Sequence, residues 1–291
     1  MFSKRQRPYD PDALPPEKRL RANVTDLFTS NAISAERAHE MLRDAAESGV
    51  KGMAEFLKPR SNKGNSARQL RNVVNKLSGW PPVYYANIRA CKRGSDEELE
   101  QVRCAFMLPH EYVATLYKHG DADVISDRSG YDAVSRAHML SCDAKAGCDL
   151  LGVGVWQDGV PCNWDRSVSL EVCSMNLPGA GSGDAKRMRL PCWALLKHQI
   201  GANTMHDLMD IIAWSLRCLR LGKYPTERHD GTPFKEKKRL AWAGTLLPTK
   251  GILCQIRGDW KMWKEVFGFP QWDKKDGCCA RCWIKPDEAR L

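Results

Sequence analysis

Long apolar runs are missing from this chain of 291 residues. No stretch reaches the roughly 18 apolar residues that a membrane-crossing helix needs, so no membrane-spanning segment is expected. The opening Met1-Phe-Ser-Lys-Arg-Gln-Arg-Pro8 has no apolar stretch behind it, so no secretory signal is read. The 12 cysteines are therefore expected in a reducing compartment, as free thiols or metal ligands and not as disulfides. A Gly-Lys-Ser/Thr ending is absent from the glycine-rich run Gly179 to Lys186, which excludes a P-loop. Gly-x-Ser-x-Gly is absent too, and no cysteine carries a local nucleophile signature. Acidic residues are outnumbered, 35 against 45 basic ones, leaving a formal charge of +10. That excess favours a polyanion partner through counterion release, and DNA is the expected one.

Hydrophobic residues make up 43% of the chain, enough for a sizeable core. Residues 1–22 are proline-rich and basic and are expected to form a disordered arm. Its clusters Lys4-Arg5-Gln-Arg7 and Lys18-Arg19-Leu-Arg21 have the spacing of a bipartite nuclear-import signal. Residues 23–147 read as a helical and mixed region. Ser34 caps a helix over 35–47, with Ala38, Met41, Leu42 and Ala45 on one stripe. Further helices are expected near 50–57 and from 66 to about 78. Strands suit 83–90 and 102–107, and helices suit 109–118 and 131–145. His110 and Glu111 open the helix at 109, where the acid suits a helix N-terminus.

Residues 148–291 have a different texture. The run 150–156 is nearly all apolar, as befits a strand covered on both faces, and Asp158-Gly159 after it reads as a turn. Residues 167–175 alternate apolar and polar. A third strand at 188–196 contains Pro191, which suits an edge or a bulge. A long amphipathic helix runs from Thr204 to Leu221 and stops at Gly222. A basic, mobile insertion is expected at 228–239, then a fourth strand at 251–256 and a helix from Trp260 to Phe267. His206 and Asp210, four apart on the long helix, read as a surface pair. The order strand, strand, strand, helix, strand is the opening of a ribonuclease-H-like α/β fold with a mixed sheet. In that fold the first and fourth strands are neighbours, so Asp158 and Asp259, at or just past their ends, converge. Paired carboxylates are hard oxygen donors suited to holding Mg²⁺ against a phosphodiester.

The blocks Gly154-Val-Trp-Gln-Asp-Gly-Val-Pro-Cys-Asn-Trp-Asp-Arg-Ser167, Ser174-Met-Asn-Leu-Pro178 and Gly258-Asp-Trp-Lys-Met-Trp-Lys-Glu-Val-Phe-Gly-Phe269 carry a resemblance, together with Cys278-Cys-Ala-Arg-Cys282. They resemble transposon-derived DDE-type transposase relatives of the CACTA and Plavaka kind, over roughly residues 145–291. The resemblance implies Mg²⁺-dependent DNA cleavage and strand transfer, with Asp158 and Asp259 as metal ligands. Such enzymes need a third acid on a later helix. Glu288 stands too near Asp259 to supply it, so an incomplete copy of low activity is expected. Arg228, Lys235, Lys237, Lys238 and Arg239 are the residues expected to hold the DNA backbone. Cys278, Cys279 and Cys282 have zinc-ligand spacing but form half a site; His198, His229 or Cys254 could complete it. The alternative function is a non-catalytic nucleic-acid-binding protein that keeps the basic segments and dispenses with the acids.

Overall fold

A computed structural model describes residues 15–29, 32–53, 67, 68, 70, 80–92, 95, 98–118, 125–165, 167–180 and 189–258. The chain divides into two compact units, Met1–Trp80 and Pro81–Leu291. In the first, α1 spans Pro16–Thr29 and α2 spans Ala35–Glu47. Proline fits the first helical position because its missing N–H would be unpaired there anyway. Helix α1 thus begins inside the segment expected to be a disordered arm. The reason is packing: Val24 and Phe28 of α1 join Ala35, Ala38 and Leu42 of α2 in one apolar cluster. Ser34 caps α2 as expected, its Oγ accepting from the Arg37 N–H at 3.2 Å. The helices expected at 50–57 and 66–78 lie mostly outside the described residues.

The second unit opens with an antiparallel hairpin, β1 (Tyr84–Cys91) and β2 (Leu99–Phe106), then α3 (Pro109–Lys118) and α4 (Ala133–Ala146). A four-stranded sheet follows from β3 (Leu151–Pro161), β4 (Ser169–Asn176), β5 (Leu190–Leu196) and, after helices α5 (Ala202–Leu221) and α6 (Lys237–Trp242), β6 (Gly251–Gly258). The sheet order is β5-β4-β3-β6. β4 pairs antiparallel with both β3 and β5, whereas β6 lies parallel to β3. The fold class is therefore mixed α/β, with a mixed sheet and flanking helices. No described helix is long and apolar enough to cross a membrane.

The sheet is covered on both faces, which is why β3 is apolar at both alternations. Gln157 donates to the Met205 sulfur at 3.6 Å, so the side of β3 that bears Val153, Val155 and Gln157 meets α5. On the other side the Tyr131 hydroxyl, just ahead of α4, accepts from the Gly152 N–H at 3.0 Å. Pro191 stands on the sheet-edge strand β5, where the pairing with β4 shifts register between Cys173 and Ser174. Edge and bulge coincide there, as a strand proline requires. Gly222 closes α5 at φ +71°, a left-handed value that glycine adopts without a Cβ clash.

One turn lies elsewhere than expected. Asp158-Gly159 forms no turn; β3 continues through it to Pro161, with Asp158 opposite Val172 of β4. The chain reverses at 162–168 instead. There the Asn163 Oδ1 accepts from the Val168 N–H at 2.9 Å and the Asp165 Oδ1 accepts from the Ser167 N–H at 3.1 Å. Two side chains that mimic backbone turns outweigh the Asp-Gly pair.

Candidate functional site

Asp158 lies toward the end of the sheet at which β3 closes. Among the described residues the β3–β6 ladder runs to the pair Gln157 and Gly258, and Asp158 follows Gln157 on β3. Its Oδ1 accepts from the Gly159 N–H at 2.8 Å; its Oδ2 takes no hydrogen bond among the described residues. The next residue of the chain after Gly258 is Asp259, which lies outside the described residues. Among the described residues no group of three or more His, Cys, Asp or Glu side chains is arranged to hold a metal ion.

Cations surround this rim. Arg257, exposed near the end of β6, pairs in register with Trp156. The Arg189 guanidinium, also exposed, lies 4.5 Å from the centroid of the Trp156 ring. Trp156 and Asp158 are two apart on one strand and so share a face. On the opposite face the Lys197 ammonium and the Glu171 carboxylate lie beside Gly159, within 3.7 and 3.5 Å of where a Cβ would stand. Glu171 also accepts from the Gln157 amide at 3.2 Å. Arg257 further helps to hold the Asp132 carboxyl below its ordinary range, although the Ser135 N–H bonded to Asp132 contributes most. The sequence reading missed Arg189, Lys197 and Arg257. Period-two spacing from Asp158 and the end of β6 would have singled out Arg257.

The basic segment 228–239 is ordered and anchored elsewhere. Arg239 is 2% exposed, and its guanidinium is bonded twice to the buried Glu111 carboxylate, at 2.7 and 2.9 Å. Arg239 is therefore withdrawn as a DNA contact, because a phosphate cannot reach a guanidinium enclosed in the core. Glu111 stands in the first turn of α3, as expected, and also answers Arg239. Arg228 donates to the Tyr85 carbonyl at 2.6 Å and lies 4.5 Å from the centroid of Tyr84, with only 16% of its side chain exposed. That guanidinium too is taken up in holding the fold. Lys235, Lys237 and Lys238 are exposed. The anchors of this segment are Pro82, Tyr84, Tyr85 and Glu111, whereas Asp158 is flanked by β4, β6 and the segment around β5.

The cysteines expected to hold zinc, Cys278, Cys279 and Cys282, lie outside the described residues. Their suggested fourth ligands are described. The His229 Nδ1 is bonded to the Tyr84 hydroxyl at 2.5 Å, and burial pushes the Cys254 thiol up to about 11. His198 stays exposed on a short 3₁₀ turn, Lys197–Gln199. His206 and Asp210 form the expected exposed surface pair, at 3.2 Å. Comparisons of the chain with protein-family models, with curated proteins and with solved structures give no match.

Proposed function

We propose that Pro81–Leu291 contains a ribonuclease-H-like core of the DDE-transposase type and that it cleaves and joins DNA phosphodiesters with Mg²⁺. The observation that supports this reading is the register of β3 on β6. It sets Asp158 one residue past Gln157 and leaves Asp259 one residue past its partner Gly258. The strand order β5-β4-β3-β6, with only the last pair parallel, agrees with that fold. Asp158 fits a metal ligand: it is a short, hard oxygen donor with one oxygen uncommitted among the described residues. When bound, a pair of Mg²⁺ ions supplies activation of a water or 3′-hydroxyl and stabilisation of the leaving oxygen. The chain's own part would be to offer the Asp158 carboxylate, together with that of Asp259, to the metal and to hold the flanking phosphates with Arg189, Lys197 and Arg257.

A second reading is a non-catalytic nucleic-acid-binding protein. It is favoured by the net charge of +10 and by the exposed Lys235, Lys237 and Lys238, which need no metal to hold a phosphate backbone. Nicking of supercoiled plasmid separates the two. Mg²⁺-dependent nicking by the full chain that disappears in both Asp158→Asn and Asp259→Asn is the expected result. DNA binding with a steep salt dependence, unchanged in both variants and without nicking, would establish the second reading and overturn the first.

A further inference from the structure

The hairpin that carries Asp158 ends in a tryptophan wholly in water. Trp164 is 102% exposed, and the next most exposed large apolar side chain among the described residues is Val134 at 76%. The loop beneath it is braced. Asn163 accepts from the Val168 N–H at 2.9 Å and donates to the Ser167 hydroxyl at 2.7 Å, while the Cys162 N–H donates to the Val168 carbonyl at 2.8 Å. Asp165 turns its carboxylate inward, its Oδ1 accepting from both the N–H and the hydroxyl of Ser167 at 3.1 and 2.9 Å. The indole is therefore displayed beside hydrogen bonds that brace the two ends of the loop.

We propose that Trp164 stacks on an unpaired base of a DNA strand that runs along the Asp158 rim; the inference rests on reading that rim as a DNA site. Three features select a base over a protein surface. First, the apolar tip is small. One indole contributes about 150–250 Å², and the flanking Val160 and Val168 are only 42% and 40% exposed. A stable protein interface takes about 800 Å² from each partner, whereas a base needs only the face of one ring. Second, the rim behind the tip carries Arg189, Lys197 and Arg257, which suit a phosphate backbone. Third, the distance fits. Three strand residues from Asp158 to Pro161 cover about 10 Å at roughly 3.3 Å each. The tip thus lies a few stacked nucleotides from the carboxylate, at about 3.4 Å per nucleotide.

The test is binding of the full chain to a fluorescent single-stranded oligonucleotide and to the same sequence as a blunt duplex, with EDTA present so that no cleavage occurs. Wild type, Trp164→Ala and Trp164→Phe are compared. Loss of one base–aromatic stack predicts a drop of at least about fivefold in single-strand affinity for Trp164→Ala, with Trp164→Phe near wild type and duplex affinity unchanged. A 2-aminopurine placed along the strand should be quenched by wild type and not by Trp164→Ala, while both proteins unfold at the same temperature. Equal affinity of Trp164→Ala and wild type, equal losses on both DNAs, no single-strand binding by wild type, or a change in oligomeric state with DNA affinity intact would each overturn the inference. Tryptophan-dependent binding without any Mg²⁺-dependent nicking would overturn the cleavage reading alone. Asp158-dependent nicking with unaltered Trp164→Ala binding would overturn this inference alone.

Discussion

Glu111 and Arg239, 128 positions apart in the chain, form a buried two-point ion pair, Nε to Oε1 at 2.7 Å and Nη2 to Oε2 at 2.9 Å. The same guanidinium donates through Nη2 to the Pro82 carbonyl at 2.5 Å and through Nη1 to Glu236 at 3.1 Å. One arginine thereby fastens α6 to α3 and to the chain entering β1. Every donor group it turns inward has an acceptor, which is the condition for a buried charge to be tolerated.

Removing either partner should therefore be severe. Arg239→Ala and Glu111→Ala are each expected to lower stability by about 3–5 kcal/mol, because the surviving charge is left in the core. The double replacement Glu111→Leu/Arg239→Met should cost markedly less than the sum of the single changes. Urea denaturation of the four proteins checks this. Single losses below about 1 kcal/mol would mean that water reaches the pair.

His110 next to Glu111 gives the fold a pH dependence. Burial holds its imidazole down at about 3, with the Arg239 charge adding to the effect. The His110 N–H lies 3.3 Å from the Ser215 Oγ, and the His110 Nδ1 lies 2.7 Å from it. The hydroxyl accepts the former and forms a second hydrogen bond with Nδ1, which a neutral ring makes as acceptor or donor according to its tautomer. The folded pKa is below the ordinary 6.5, so the stabilising contribution is complete above about 6.5 and is lost as pH falls toward 3. Between pH 7 and pH 5.5 the loss from this one group is roughly 1 kcal/mol. His110→Asn should flatten that part of the stability–pH curve. His229, also held down by burial, acts in the same direction. An unchanged slope in His110→Asn would show that the ring titrates normally.

Elements whose local signals agreed with their packing were legible in the sequence. Helix α3 has the expected bounds of 109–118, and Ser34 and Gly222 cap the helices they were expected to cap. The pairing of β3 with β6 was expected from the element order, because three strands, a helix and a fourth strand in the anticipated fold set the first and fourth strands side by side. Asp158 was misread locally, since Asp-Gly is strong turn chemistry and only the pairing with Val172 and Glu171 shows the strand continuing. Arg239 was misread for a longer-range reason. Four cations within 235–239 look like a solvated basic stretch, and the acid that buries one of them lies on α3, far away in sequence. The rim cations were missed because they come from three separate segments.

The glycines of β3 were read as part of an apolar run, yet they have a steric role. A Cβ on Gly152 would run into the Tyr131 hydroxyl and would stand 2.9 Å from the Cys254 sulfur. One on Gly154 would meet the Asn176 amide. Gly152→Ala is expected to lower stability by about 1–3 kcal/mol, as overpacking of a filled core does. Adding Tyr131→Phe should recover part of the loss, since it removes the clashing oxygen, while Tyr131→Phe alone destabilises by leaving the Gly152 N–H unpaired. Thermal unfolding of the double-mutant cycle checks the sign of the coupling. Additive losses would mean that the clash lies with Cys254 instead.

Two basic sets now compete for the DNA backbone: Arg189, Lys197 and Arg257 at the Asp158 rim, and Lys235, Lys237 and Lys238 on the segment anchored to Glu111. Each phosphate contact contributes about 0.9 to the slope of log affinity against log salt on duplex DNA. Replacing the three rim cations with alanine should therefore flatten the slope by up to about 2.7 and should abolish nicking even at saturating protein. The lysine triple variant should weaken binding and leave nicking of bound DNA intact, because its residues stand off the rim. Affinity titrations from low to moderate salt, run beside the plasmid assay, distinguish the sets. If the rim variant keeps its slope while the lysine variant loses both slope and nicking, the DNA path runs over α6 and the rim cluster of positive charges serves only to balance Asp158 and Glu171.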